Sequence, residues 1–327
     1  MTPTSLTQAT NLLAQSKRPL LIAHPRPDGD TVGSALALRL ALAPLGKAPV
    51  LACVHPLPAS LAWLPGADAF VQDVAEDAPV DLVIAVDLSD LSRAGGVYKD
   101  TWRGHKPLLV IDHHETNNAF GDVNLVEPEA VATAVPMLAL IRALGVPVAG
   151  AIATCLLAGV LTDTRGLRTD NTTATTLALV AELVAAGGDY AAVVQKTLDA
   201  VPYQQMRGWG VALYGLQLEG DLAWTAFPLA EKTQLGIADH DDLDLGNLLS
   251  RVAEANVVAS FLEMRDGTVK ISFRCRPGYN VATLAKALGG GGHRQAAGCS
   301  TPGPLDAAVA RVLPLVRDLL RAQSASM

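Results

Sequence analysis

Three short apolar runs in this chain each end in acids or histidines. Leu21-Ile22-Ala23 leads into His24, Asp28 and Asp30; Val83-Ile84-Ala85-Val86 leads into Asp87; and Leu109-Val110-Ile111 leads into Asp112-His113-His114. A fourth acid, Asp163, follows the apolar run 155–161. Taken singly, each has a structural explanation, since an Asp after a strand commonly caps a helix or forms a turn. A single His is commonly a structural hydrogen-bonder. As a set they point elsewhere. Carboxylates crowded into one site repel one another unless cations neutralise them, and a pair of divalent metals is the simplest solution. Asp28-Gly29-Asp30 suits such a pair, because two carboxylates flanking a glycine can reach adjacent ions while Gly29 lets the backbone come close. Mixed His and Asp ligands favour Mn²⁺, Zn²⁺ or Fe²⁺ over Mg²⁺ and Ca²⁺, which prefer all-oxygen shells.

Something must bring these distant groups together. The runs at 20–23, 50–54, 80–86 and 108–111 are continuously apolar rather than alternating, which is how strands buried on both faces of a parallel sheet read. The stretch 31–43 is helical in composition and lies between the first two, so the chain opens with a strand, helix, strand unit. The predicted fold is α/β: an N-terminal, mainly parallel sheet flanked by helices. Open parallel sheets bind ligands at the carboxyl ends of their strands, so the acids and histidines are expected to converge there. From 130 to 200 the pattern is mostly helical. The segment 146–161 reads as a buried helix, because it holds Pro147, Gly150 and Gly159 and falls short of the roughly 20 apolar residues of a membrane span.

Past Pro202 the character changes. Strands are predicted at 222–227, 257–264 and 268–273, paired by hairpins, with Asp266-Gly267 as the turn between the last two. The predicted organisation is a catalytic domain over 1–188, a linker over 189–205 and a smaller α+β domain over 206–327.

Composition narrows the function. The 327 residues carry 25 Lys+Arg against 32 Asp+Glu, a formal charge of −7, and 50% are apolar, which excludes a disordered chain. The acidic balance argues against gripping long duplex nucleic acid, which needs many cations against the phosphates. Cys53, Cys155, Cys275 and Cys299 form no C-x-x-C pair, the N-terminus shows no signal peptide, and a reducing cytoplasm is the expected location.

A second feature lies near the C-terminus. Gly289-Gly290-Gly291-Gly292-His293 follows a helix-like stretch, 281–288, and is no Walker loop, since no Gly-Lys-Ser/Thr follows. The bland reading is a surface turn. The functional one is a nest of backbone N–H groups for an anion, with positive φ at Gly291 and with His293, Arg294, Arg274 and Arg276 adding donors in an otherwise acidic chain.

His24-Pro25-Arg26-Pro27-Asp28-Gly29-Asp30, Asp87, Asp112-His113-His114 and Asp163-Thr164 resemble, in order and spacing, the successive motifs of the DHH phosphoesterase superfamily. The segment 289–298 resembles the signature of the DHH-associated C-terminal domain, in which Arg274 aligns with an arginine. Together the resemblances cover nearly the whole chain. Its compact two-domain length is similar to the NrnA-type oligoribonuclease and pAp-phosphatase group. The resemblance implies one metal held by His24, Asp28 and Asp87 and a second by Asp30, Asp87, His113 and Asp163, both most readily Mn²⁺, with Asp87 bridging. Asp112 and His114 would be catalytic, Asp112 orienting a neighbouring histidine and His114 facing the scissile phosphate. Arg274, Gly289, Gly290, Gly291, Gly292 and His293 would bind substrate. The implied partner is a short single-stranded oligonucleotide or dinucleotide, and the implied assembly a homodimer. Val135 stands where the family commonly has Glu, and Leu167 where it commonly has an aromatic. A cyclic di-AMP phosphodiesterase is the rival enzyme. A sensor without catalysis is disfavoured because every ligand position is filled.

Overall fold

The computed structural model describes residues 2–238 and 243–324. The chain divides into two compact units, Met1–Ala200 and Val201–Met327.

The first unit opens with helix α1 (Pro3–Gln15) and is built on six strands: β1 (Pro19–Ala23), β2 (Val50–Ala52), β3 (Phe70–Val71), β4 (Leu82–Val86), β5 (Leu108–Asp112) and β6 (Val123–Val126). Every pair is parallel, in the order β3-β2-β1-β4-β5-β6. All residues of β1, β4 and β5 are buried, as their unbroken apolar runs require. Successive side chains alternate between two cores. Leu21, Ile84, Val86, Leu109 and Ile111 meet the helices α2 (Gly29–Leu42), α3 (Ala134–Ala143) and α4 (Ala151–Asp163) on one face. Leu20, Ile22, Val83, Ala85 and Val110 face Leu88, Ala94, Val97 and Trp102, which lie in loops and 3-10 turns.

Strand boundaries differ slightly from expectation. β2 stops at Ala52, β4 starts at Leu82, and β5 runs one residue further, making Asp112 its last residue. The two edge strands β3 and β6 were absent from the sequence expectation. The segment 146–161 falls mostly in α4, buried from Ile152 to Leu161. Among the described residues, no single helix is long and apolar enough to cross a membrane.

Beyond helix α5 (Ala174–Ala185), the stretch expected as a linker carries α6 (Tyr190–Val193) and a π-helical turn, Val194–Asp199, within the first unit. It also holds the start of helix α7 (Tyr203–Tyr214), within the second.

The second unit carries β7 (Gln217–Glu219), β8 (Leu222–Phe227), β9 (Val257–Glu263), β10 (Thr268–Cys275), β11 (Gly291–His293) and β12 (Ala296–Pro302), in the order β11-β12-β10-β9-β8-β7. β9 and β10 form the expected hairpin, with Gly267 at positive φ and the Asp266 carboxylate accepting from the Thr268 N–H. The expectation of hairpins throughout needs one correction. β8 and β9 are parallel, joined by a crossover through α8 (Leu229–Gln234) and α9 (Leu245–Leu249). Helices α10 (Ala282–Ala287) and α11 (Leu305–Ser324) contribute to this unit's core, α11 through Leu305, Ala308, Val312, Val316 and Leu320 at helical spacing.

Candidate metal centre

The order of the first sheet reverses between β1 and β4, which leaves a crevice at their carboxyl ends. His24 directly follows β1, Asp87 follows β4, Asp112 closes β5, and His113 and His114 come next. Asp87 sits in the left-handed region at φ +62°. That conformation costs a non-glycine residue roughly 1–2 kcal/mol, and the Asp87 N–H, donating to the Ile111 carbonyl, helps hold it.

The remaining acids come from two helices packed at close range. Asp28 caps α2, its carboxylate accepting from the N–H groups of Asp30 and Thr31. Asp163 is the last residue of α4. A Cβ at Gly33 would stand 2.3 Å from the Cys155 carbonyl oxygen, one at Gly29 would stand 2.5 Å from the Thr162 side chain, and one at Gly159 would stand 2.6 Å from Asp30 Oδ1. These glycines let α4 lie against α2 and so deliver Asp163 to Asp30. The close approach at Gly29 is therefore made to α4, where sequence reasoning had placed an ion.

Three overlapping groups result: His24 with Asp28 and Asp87, Asp30 with His113 and Asp163, and Asp87 with His113 and His114, the donor atoms of each lying within 4.8 Å of one another. His24 Nε2 is 3.5 Å from Asp28 and 3.4 Å from Asp87, and His113 Nε2 is 3.2 Å from Asp163 and 3.8 Å from Asp87. All six residues expected as metal ligands are thus brought together. The ring orientations suit ligation. His24 Nδ1 bonds the Pro25 carbonyl and His113 Nδ1 the Ala130 carbonyl, at 3.0 and 3.1 Å. Because a carbonyl only accepts, each Nδ1 carries a proton, so each Nε2, which faces the acids, is the nitrogen that would present a lone pair to a metal once its own proton is lost.

The electrostatics of the cluster call for positive charge. Asp30, Asp87 and Asp112 are 0%, 3% and 0% exposed. Burial lifts Asp30 well above the usual carboxylate range, and the charges of Asp87 and Asp163 add to the effect. Burial also raises Asp87, against its bond to His24. Burial works against a charged His24, but hydrogen bonds to Asp28 and Asp87 outweigh it, and the imidazole is pushed up to about 10. His113 rises to about 10 in the same way, burial being outweighed by Asp163, Asp30 and Asp87. The acids draw protons onto the histidines. Divalent ions would supply the same charge and release those protons, so the donor set fits a pair of metals.

Behind the cluster stand its supports. Asp112 Oδ1 lies 2.7 Å from His114 Nδ1, a bond that raises His114 and leaves its Nε2 as the free ring nitrogen. Burial works against a charged Asp112, but His114 and Asn117 outweigh it and hold Asp112 below the usual range. Asn117 donates to Asp112 Oδ2 at 2.6 Å and to the Leu88 carbonyl, tying β5 to the loop after β4. Thr133 donates its hydroxyl to Asp87 at 2.9 Å, while the backbone N–H groups of Thr133 and Ala134, at the start of α3, donate to Asp30 at 2.6 and 3.0 Å. Sequence reasoning missed Asn117 and Thr133.

The second unit holds the other expected residues. Gly291–His293 forms an edge strand paired with Ala296 to Gly298, with Arg294-Gln295 as the turn, so the glycine run is partly strand rather than an open nest. Positive φ falls at Gly289 and Gly292, not at Gly291. A Cβ at Gly290 would stand 2.1 Å from the Gly298 carbonyl oxygen and one at Gly292 2.6 Å from the Ala296 oxygen, whereas one at Gly291 meets open space. Gly291, Gly292 and His293 are exposed. Arg274 is half-buried, its Nε donating to Asn247 Oδ1 at 3.0 Å.

Comparison with known proteins places both units. The DHH family, N-terminal domain, matches residues 19–160, and the DHHA1 domain matches residues 234–322. The bifunctional oligoribonuclease and PAP phosphatase NrnA of Thermus thermophilus is 36% identical over 305 residues, 92% of this chain and 90% of that protein. The protein of the same name from Mycoplasma genitalium is 26% identical over 300 residues, 90% of this chain and 92% of that one. The crystal structure of an exopolyphosphatase-related protein from Bacteroides fragilis superposes with a TM-score of 0.89 at 21% identity, covering 99% of this chain and 98% of that one, a likeness of fold.

Proposed function

The chain belongs to the DHH family, with a DHHA1 domain behind its DHH domain, and from that membership we propose that this phosphate-ester hydrolase cleaves dinucleotides and very short single-stranded oligonucleotides, and 3′,5′-bisphosphorylated adenosine, to mononucleotides with two Mn²⁺ ions. The observation that carries the reading is Asp87, the one carboxylate shared between the His24–Asp28 group and the His113–His114 group. The names of the Thermus and Mycoplasma relatives supply the substrate class.

In this reading His24, Asp28 and Asp87 would hold one ion, and Asp30, Asp87, His113 and Asp163 the other. When bound there, the metal pair would supply an activated water near neutrality and offset charge on the phosphoryl oxygens. Thr133 and the start of α3 fix the carboxylates of Asp87 and Asp30, so the ligands need little rearrangement on loading. Asp112 and Asn117 hold the His114 ring with its proton on Nδ1, and His114 Nε2 meets the scissile phosphate. The N–H groups of Gly289 and Gly290 donate to the Lys286 and Ala285 carbonyls, so contact with the nucleotide portion would fall to Arg274, His293 and the exposed backbone of Gly291 and Gly292, where binding helps position the reacting phosphate. The same reading takes the enzyme to be a cytoplasmic homodimer.

A hydrolysis panel tests it: pAp, pApA, cyclic di-AMP and RNA of increasing length, each with Mn²⁺, Mg²⁺ and Co²⁺. Turnover should be highest on the shortest linear substrates with Mn²⁺ and fall with length. Cleavage of long RNA as fast as of pApA would defeat the proposal, and faster turnover of cyclic di-AMP than of pApA would reassign the substrate.

A further inference from the structure

A cavity of about 320 Å³ opens around the carboxyl ends of β2 and β3, and two of its lining residues, Cys53 and His55, bond the backbone of the loop that carries His24 and Asp28. We propose that this cavity is a nucleobase subsite, receiving the base of the nucleotide whose phosphate lies at the metal centre. The inference rests on the phosphoesterase reading above and adds where the base goes.

Position is the first argument. β2 is the neighbour of β1 in the sheet and β3 the next strand out. Their carboxyl ends therefore lie roughly 5 and 10 Å from the end of β1, which is the reach of a nucleotide from phosphate to base. The cavity wall is also bonded to the metal-binding loop. Cys53 lines the cavity, and its Sγ donates to the His24 carbonyl at 3.3 Å while accepting from the His55 backbone N–H. His55 lines it too, with Nδ1 accepting from the Arg26 N–H at 3.0 Å. That bond helps hold Arg26, between His24 and Asp28, in the left-handed region at φ +56°.

Chemistry is the second argument. Leu57, Ala62, Phe70 and Val71 offer apolar surface for the faces of a planar ring. Asp68, Gln72 and the His55 ring offer acceptors and donors for its edge. Among the described residues lining the cavity there is no Lys or Arg, and Asp68 brings a carboxylate, so the walls are wrong for a phosphate and right for an uncharged heterocycle. The volume falls at the lower end of the roughly 300–1,000 Å³ typical of small-ligand sites, which suits a base rather than a whole dinucleotide.

The test compares two ligands that differ only in the base. Adenosine 5′-monophosphate and ribose 5-phosphate are titrated into the full-length, Mn²⁺-loaded chain by calorimetry. The same titrations are made on Ala62→Trp, which places an indole in the cavity from an exposed position, and on Val71→Trp should the first variant not fold. The wild type should bind the nucleotide at least tenfold more tightly than the sugar phosphate. Filling the cavity should erase that advantage and leave ribose 5-phosphate within twofold. Equal affinities in the wild type, or an advantage that survives the filled cavity, would overturn the subsite. Because these ligands are not cleaved, the outcome is independent of the hydrolysis panel: loss of turnover on every substrate with the binding pattern intact would count against the proposed activity alone.

Discussion

The acid and histidine cluster of the first unit and the glycine hairpin of the second are built by opposite means. In the cluster, side chains at the ends of β1, β4 and β5 and from α2 and α4 meet around buried Asp30 and Asp87, with Asp28 exposed at the rim, and the two buried carboxylates are held by backbone N–H groups or hydroxyls: Asp30 by Thr133, Ala134 and Ser34, Asp87 by Thr133. In the hairpin, Gly291 to His293 lie side by side in sequence, exposed on an edge strand. The contrast teaches what each job demands. Holding like charges a few ångströms apart requires many fixed partners, whereas the proposed substrate role of the hairpin would need only groups that its own pairing leaves accessible.

Breaking the first side of the contrast should have the largest effect. Asp87→Ala removes the carboxylate common to two groups, and we expect kcat/KM to fall by about a thousandfold or more, ~4 kcal/mol of transition-state stabilisation, with the circular dichroism unchanged. A folded variant retaining a tenth of the activity would remove Asp87 from the centre of the account.

The supports should matter less. Asp112→Asn puts an amide where a carboxylate accepts from His114, favouring the wrong tautomer, and should lower kcat by roughly 10- to 100-fold. KM should stay within about twofold. Steady-state kinetics showing the reverse, a raised KM with intact kcat, would place His114 in substrate binding rather than chemistry.

The hairpin separates architecture from recognition. Gly290→Val drives a side chain into the Gly298 carbonyl and should cost about 1–3 kcal/mol of stability, read as a lower Tm. Gly291→Val points into open space and should leave Tm unchanged. Arg274→Ala should lower kcat/KM on pApA about tenfold through a lost charged contact, yet barely affect a small chromogenic phosphodiester. Equal losses on both substrates would mean that Arg274 supports the fold.

The smallest effect is on protons. His24 and His113, both raised to about 10, are protonated in the metal-free chain at pH 8, whereas ligation needs neutral imidazole. Mn²⁺ binding at pH 8 should release protons, so its calorimetric enthalpy should vary with the ionisation enthalpy of the buffer. An enthalpy that is the same in every buffer would show imidazoles that were already neutral.

The cluster was legible in the sequence because each strand-borne ligand follows an unbroken apolar run, and parallel strands share their ligand-binding edge. Asp112 and the histidines after it are placed by the apolar run that precedes them. Asn117 and Thr133 could not, because an uncharged side chain in a loop carries neither period nor charge. Gly33 and Gly159 read as weak helix residues, and only the contact between α2 and α4 gives them a purpose. β3 has only two residues, and β6 is interrupted by Asn124, so neither shows an unbroken apolar run. The parallel pairing of β8 with β9 did leave a signal, since the chain between Phe227 and Val257 is far too long for a hairpin and suits a crossover. In the hairpin the situation is inverted. The glycine run is conspicuous as a string of letters, but its pairing with Ala296 to Gly298 depends on β12, whose small residues give no strand signal of their own.

The central claim is that one buried cluster holds two ions bridged by Asp87. Electron paramagnetic resonance of the Mn²⁺-loaded chain, with the metal counted in the same sample, tests it most directly. The account predicts two Mn²⁺ per chain with an exchange-coupled spectrum in the wild type, and loss of the coupling in Asp87→Ala. A single ion per chain, or two ions with uncoupled six-line signals in the wild type, would contradict it.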